Sequence, residues 1–509
     1  MILAVCAFFL SSCFEDEGNY KYTHVEDIDI VGIKPSYKVL SFVEKLEIPI
    51  EINTSYGDLE YQWYVYDPKV EEEYNHDETY EAKLISTEKN LSYDVGWEPG
   101  VYTVMVKVTS PSNNYAVYAK TSVEVVTELS RGFYILKETA DGNTELDLHY
   151  NDEEPVAANL ITKAMGNPMQ GKPLCLGVVY GHGYMDPKEN KIKVYKTLCV
   201  STEKGDVSYF KTDDFALLYD KTNIRYGGMS EGEIPITSFT FGVSNFFVSN
   251  KGVSGAYASS ISMPSGGVFA TTSGTGASRF FAEDGEFVLV YWNELDQRID
   301  YADQYSFGHS FIGDYDENGF STKGMECVAC GSSHAGASGA INFFLLKDTS
   351  GKKFLYYVSS GWEGVHTEKK VEIPAYSKLA KATNYATNAN TATFMYYVYN
   401  NQLYVYNLGN DTEAENPITL KGLPSDEKIT YLSYQYLNSG GADEEYDFNS
   451  LCVGTQTGNT YRIYMYDIAG GYPNNLIRTI EGEGKLVMSN YVSPKFEADG
   501  SGSASIPNR

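Results

Sequence analysis

The chain has 509 residues, enough for two or more domains with a sizeable core. Its 39 Lys and Arg against 68 Asp and Glu give a net charge of −29. That charge excludes nucleic acid as a partner, because such binding rests on neutralising phosphates, and it excludes docking onto anionic membrane surfaces. Seven cysteines are too few for a disulfide scaffold in a chain of this length.

Ile2 to Leu10 is wholly apolar and is followed at once by Ser11-Ser12-Cys13. The run is too short to span a bilayer, which takes about 20 apolar residues. It reads instead as a signal-peptide core with its cleavage site. Leu10-Ser11-Ser12-Cys13 resembles the bacterial lipobox. The resemblance implies removal of residues 1–12 and acylation of Cys13, a lipid anchor in the outer membrane. No Lys or Arg precedes Cys13, which departs from the usual basic start and points to a start codon assigned too late. Glu15, Asp16 and Glu17 open a tether over 13–23. Such an acidic cluster resembles the surface-export signal of lipoproteins that serve SusC/SusD-like importers; its plainer reading is a solvated tether.

Residues 24–127 read as a β-sandwich. Val39-Leu40, Leu46 to Ile50, Leu59 to Tyr66, Gly100 to Val108 and Thr121 to Val126 are strand patterns divided by turn signals. Trp63 is the expected core tryptophan, and Tyr102 belongs near a corner. Tyr61-x-Trp63, Pro99-Gly100-x-Tyr102-Thr103-Val104 and the opening Gly18-Asn19-Tyr20-x-Tyr22-Thr23 resemble the PKD-like family of Ig-type sandwiches. The resemblance implies a spacer or docking module. The acidic stretch Val70 to Glu81 reads as a solvated loop.

After a linker at Thr127 to Gly132, hairpins follow one another. Phe133 to Leu136 leads through Asp141-Gly142-Asn143 to Leu146 to Leu148. Phe343 to Tyr357 turns at Ser350-Gly351, and Tyr396 to Tyr406 turns at Asn400-Asn401. Leu198-Cys199-Val200-Ser201-Thr202-Glu203-Lys204-Gly205-Asp206 matches Leu451-Cys452-Val453-Gly454-Thr455-Gln456-Thr457-Gly458-Asn459 almost throughout. Phe287 to Trp292 is a further strong strand. Repeated hairpins without a long amphipathic helix predict a β-propeller over 131–496. At roughly 40 to 55 residues per blade, that is about seven blades. Residues 497–509 read as a flexible tail. The whole is all-β.

Chemistry-bearing patterns are sparse. There is no His-Glu-x-x-His or Gly-Lys-Ser/Thr motif. His309-Ser310 and Ser333-His334 are neighbours in sequence only, which does not build a triad. Asp213-Asp214 and Glu283-Asp284 read as turn pairs and poor acid/base dyads. Cys327-Val328-Ala329-Cys330 is compatible with a redox pair, half a zinc site or a local disulfide, and reads most simply as two partly buried thiols. Asp314-Tyr315-Asp316-Glu317-Asn318-Gly319 places oxygens at alternate positions before a Gly. Asp314, Asp316, Asn318, the Phe320 carbonyl and Thr322 form a candidate calcium loop, although the twelfth position holds Met325 where an EF-hand has Glu. A melting temperature unmoved by millimolar calcium excludes it. Trp362, between glycines at Gly361 and Gly364, is a candidate ligand-stacking residue. The reading is therefore a non-catalytic accessory lipoprotein of a SusC/SusD-like uptake complex, binding oligopeptide or glycan. A propeller glycosidase or lyase and an adhesive surface protein are the alternatives.

Overall fold

The computed structural model describes residues 27–493 and 503–504, apart from 42–43, 69–81, 151–154, 156, 188–189, 242–243, 258–266, 271–275, 285–287, 304–319, 334–340, 362–363 and 439–446. The chain divides after Val126 into two compact units.

In the first unit, five strands form one sheet in the order Ser36–Leu40, Tyr115–Val126, Gly100–Ser110, Glu60–Tyr66, Lys83–Ser86. Only the first pair is parallel. Asp29–Val31 pairs with Glu51–Asn53, and Lys45–Ile48 pairs with Leu91–Asp94. The strand expected over Leu46 to Ile50 therefore stops at Ile48, and a second strand, in a different sheet, begins at Glu51. Pro49 lacks the N–H that a ladder needs, so the chain leaves one sheet there. Val104, Val106, Val108, Val123 and Val125 alternate along their strands and face Leu46, Ile48 and Leu91 across the core.

Trp63 lies at the centre of that core with no exposure, and its Nε1 donates to the Glu88 carbonyl at 2.9 Å. Tyr102 donates its hydroxyl to the carbonyl of Glu98, four residues back, at 2.9 Å, a tyrosine corner. Trp63→Ala is expected to cost about 3–5 kcal/mol, read as a lower urea midpoint for this unit. A loss below ~1 kcal/mol would show that the two layers close over the gap.

The second unit holds seven antiparallel sheets among its described residues. In chain order, sheet 1 is Pro173–Asp186, Lys191–Thr202, Val207–Lys211, Leu217–Asp220. Sheet 2 is Pro235–Phe241, Ser244–Ser249, Gly252–Tyr257. Sheet 3 is Phe281–Asp284, Val288–Asn293, Arg298–Asp303. Sheet 4 is Glu326–Ser333, Ile341–Lys347, Lys353–Gly361, Gly364–Glu372. Sheet 5 is Tyr385–Thr387, Phe394–Tyr399, Gln402–Asn407, Thr412–Glu413. Sheet 6 is Ile429–Asn438, Phe448–Thr457, Thr460–Ala469, Tyr472–Glu483. Sheet 7 joins the two ends of the unit: Lys485–Val492 pairs with Gly132–Glu138, which pairs with Thr144–His149. Ser503–Ala504, within the segment expected to fray, pairs with Leu437 and Asn438.

Seven buried clusters, each shared by two consecutive sheets, close the ring. Tyr134 and Met488 of sheet 7 pack with Val178 and Leu198 of sheet 1. Cys199 and Tyr209 of sheet 1 pack with Phe247 of sheet 2. Phe246 meets Leu289, Val290 meets Phe344, Phe343 meets Met395, and Tyr396 meets Leu451 at the next four junctions. Cys452 and Ile463 of sheet 6 then pack with Phe133 and Ile135 of sheet 7. Sheets that each bury both faces against their neighbours, with the last returning to the first, are the blades of a seven-bladed propeller.

This geometry explains the apolar runs. The second strand of each blade is covered on both faces in its middle, so it carries an unbroken apolar run there, such as Leu198-Cys199-Val200 or Phe343 to Leu346, and does not alternate. Phe343 and Leu345 face blade 5, while Phe344 and Leu346 face blade 3. The two matching segments around Cys199 and Cys452 occupy this same strand in blades 1 and 6. Both turn at a glycine with positive φ, Gly205 and Gly458. Asn400 and Asn401 both adopt positive φ, as a two-residue hairpin turn requires.

Candidate functional site

Cys13, Glu15, Asp16, Glu17, Asp314, Asp316, Asn318 and Trp362 lie outside the described residues, as do His309, His334 and the acidic stretch 70–81. Phe320 is partly buried against the core between blades 3 and 4, and Thr322 donates its hydroxyl to the Gln297 carbonyl at 2.7 Å. Ser333 is buried and donates to the Ala392 carbonyl at 2.8 Å, a structural role. Asp214 pairs with Lys211 at 3.1 Å in a turn, whereas Glu283 and Asp284 end a strand and do not form a turn.

Cys327 and Cys330 are free thiols on the first strand of blade 4, at a bulge. Cys327 is buried and Cys330 partly so; their sulfurs donate to the carbonyls of Ala329 (3.5 Å) and Phe281 (3.2 Å). Burial, then the Cys330 sulfur beside it, pushes the Cys327 thiol well above its ordinary range, which disfavours the thiolate that redox or metal chemistry needs. No group of three or more His, Cys, Asp or Glu among the described residues is placed to hold a metal.

Two acid/base clusters are sealed inside the propeller. Lys137 donates to Asp147 at 2.7 Å, Tyr461 donates to the same carboxylate at 2.9 Å, and His149 Nε2 lies 3.1 Å from the Tyr461 hydroxyl. None of the four is more than 4 % exposed. His182 is the second. Its Nε2 lies 3.0 Å from the Gly267 carbonyl and its Nδ1 2.9 Å from the Thr197 hydroxyl, with the rings of Tyr209, Tyr219 and Phe269 around it. A carbonyl only accepts, so the hydrogen-bond pattern assigns the proton to Nε2 and makes Thr197 the donor to Nδ1.

Burial holds both imidazoles neutral, with pKa lowered to about 4. Both folded values lie below the unfolded value of about 6.5, so the unfolded chain takes up these protons first. The stabilising contribution is complete above pH ~6.5 and is lost as the pH falls toward 4, by up to ~3 kcal/mol per histidine. His182→Gln can keep both hydrogen bonds and does not titrate. Urea unfolding at pH 7 and pH 4.5 is expected to show a smaller pH loss in this variant than in the wild type; equal losses would rule out His182 as a source.

Among the described residues, an accessible cleft of about 620 Å³ lies on blade 1. One wall is the turn at Glu203, Lys204 and Gly205, between the second and third strands. The other is the loop from Lys221 to Ile234, which leads to blade 2. The loop is Gly-rich because it must turn tightly: Gly227, Gly228 and Gly232 have positive φ.

A buried clasp fixes the loop from beneath. Arg225 donates from both terminal nitrogens to Glu233, at 2.8 and 2.7 Å, and both residues are 5 % exposed. Glu233 also accepts from the Ser230 backbone and hydroxyl and from the Ser249 hydroxyl. The Arg225 guanidinium stands 5.2 Å from the Phe247 ring centre. Burial pushes the Glu233 pKa up, but the bonds from Ser249, Arg225 and Ser230 outweigh it and hold the carboxyl below its ordinary value. The forked geometry suits Arg and would be lost with Lys. At the rim, Lys221 pairs with Asp206 at 2.6 Å. Sequence reasoning missed this cleft. Its marks there are the Gly-rich loop, which includes Gly228-Met229-Ser230-Glu231-Gly232, and the Arg and Glu eight positions apart.

The PKD-like family model matches residues 13–173. The PKD-like match takes in the whole described sandwich and runs on to the first residue of blade 1. No curated protein matches the chain. Among solved structures, the chain is similar to a quinonprotein alcohol dehydrogenase-like protein of Bacteroides thetaiotaomicron, at 14% identity and TM-score 0.38 over 92% of this chain and 100% of that one. It is similar to the dihydro-heme d1 dehydrogenase NirN at 9% and TM-score 0.41, over 77% and 73%. It is similar to AztD of Citrobacter koseri at 9% and TM-score 0.33, over 86% and 99%. At TM-scores below 0.5 these likenesses add nothing to the propeller, which stands on its ring of sheets and shared cores.

Proposed function

We propose that this protein captures a ligand at the cell surface without turning it over, as a lipid-anchored accessory to a SusC/SusD-like importer of oligopeptide or glycan. The observation that supports this most is the contrast between its polar sites. The clusters with the makeup of acid/base machinery, at His149 and His182, are closed to any substrate. The blade 1 cleft is open and has a rigid floor, as a binding site requires. Cys13 with Glu15, Asp16 and Glu17 supports an outer-membrane anchor facing outward, and the PKD-like sandwich is the natural spacer.

The test is recovery of the lipidated protein from outer membranes, with mass spectrometry of its companions and protease shaving of whole cells. A SusC/SusD-like pair in the eluate and loss of the protein on shaving are expected. Recovery from the soluble fraction, or from outer membranes without an importer, would overturn the reading.

A further inference from the structure

We infer that the blade 1 cleft takes a neutral oligosaccharide, an assignment that rests on the capture reading above. The argument begins with charge. The chain carries −29 overall, yet the ionisable groups in and under this cleft cancel. Arg225 is neutralised by Glu233 in the floor, Lys221 by Asp206 at the rim, and Glu203 stands next to Lys204 on the turn. Glu231, on the same loop, is not part of the walls. An anionic ligand would meet no surplus cation here, and a cationic ligand no surplus carboxylate.

The walls nonetheless offer both hydrogen-bond polarities. Lys204 donates, Glu203 accepts, and the hydroxyls of Thr222 and Ser230 have lone pairs to offer. A sugar hydroxyl both donates and accepts, so a mixed set of this kind suits it. Tyr226, immediately before Gly227 and Gly228 of the wall, is 57 % exposed. Tyr226, like Glu231, is outside the walls, but a saccharide reaching past Gly227 would meet its exposed ring, and a flat ring with a polar tip is the partner that the CH face of a pyranose stacks on. The clasp below holds the backbone carrying that ring, so little ordering cost remains at binding. An extended peptide, by contrast, is bound most often by adding a strand to a sheet edge. These walls are a turn and a loop and present no ladder.

The experiment is calorimetric titration of the full chain with maltohexaose, cellohexaose, mannohexaose and N-acetylchitohexaose, with hexagalacturonate and a Gly-Ser hexapeptide as charged-sugar and peptide comparisons. At least one neutral hexasaccharide is expected to bind, with an affinity that changes less than about twofold between low and high salt. Tyr226→Ala is expected to weaken it about tenfold or more, with an unchanged melting temperature because the ring is exposed. No binding by any neutral sugar, preference for hexagalacturonate, or full binding by the Tyr226→Ala protein would each overturn the inference. Binding of the hexapeptide alone, abolished by Tyr226→Ala, would overturn the sugar assignment and leave ligand capture standing. An importer absent from the eluate above would sink the capture reading whatever the titrations show.

Discussion

A chain ending at Gly484 is expected to lose cooperative unfolding of its propeller while the sandwich still unfolds as a unit. The missing strand, Lys485–Val492, is the first strand of the closing blade, and it pairs with Gly132–Glu138 along its length. Leu486, Met488 and Val492 are buried in the two cores on either side of that blade, so their loss strips both junctions at once. Each such side chain is worth about 1.5–3 kcal/mol. The lost ladder also leaves the backbone groups of Phe133 to Leu136 that faced it without partners in a buried place, although the ladder to Thr144–His149 remains. Together these losses are comparable to the ~5–15 kcal/mol by which a folded protein is stable at all. The inner-strand contacts fail with them: Tyr431 and Gln435 of blade 6 lose Ser489, to which both are hydrogen-bonded. Circular dichroism in urea with limited proteolysis reads the outcome. A protease-resistant fragment ending near Val126, with the remainder digested, is the expected pattern. A truncated chain with the urea midpoint of the full protein would show that the ring does not need its closing strand.

Asp147→Ala is expected to cost about 3–5 kcal/mol, more than most single changes in this protein. It leaves the Lys137 ammonium, 4 % exposed, without its carboxylate. It also strips an acceptor from the Tyr461 hydroxyl and from the backbone N–H of Asn159, the residue just before the short helix Leu160–Met165. The cluster ties blade 6 to blade 7, so the damage falls on the junction that closes the ring. The double change Lys137→Met with Asp147→Leu is expected to recover much of the loss, because a buried pair replaced by apolar groups of similar size is often neutral. Asp94→Ala, which removes an exposed pair with Lys45, is the comparison and is expected to leave the urea midpoint where it was. Equal effects at Asp147 and Asp94 would refute the lock.

The candidate site divided differently from the fold. Trp63, Tyr102, the positive-φ turn at Asn400-Asn401 and the matched segments at Cys199 and Cys452 could all be read ahead of the structure, because each is a local pattern. Pro49 was the exception within the sandwich, where one missing N–H ends a strand that the apolar pattern would have continued. The cleft could not be read. Arg225 and Glu233 look like two ordinary surface charges until folding buries them against Phe247. His182 looked unremarkable too. Its neutrality comes from a shell of rings and a carbonyl contributed by distant parts of the chain.

The all-β class, the sandwich core and the apolar second strands of the blades were determined by the sequence alone. Side-chain alternation, and its loss where both faces are covered, is written over a few residues and needs no partner to be recognised. The tertiary structure decided what closes on what. Lys485 meets Glu138 across 347 positions, and nothing in either strand distinguishes that pairing from the others a seven-fold repeat offers. It is selected because only a full ring buries both faces of every blade. The same closure brings Tyr461 to Asp147 and seals the charged cluster between blades 6 and 7.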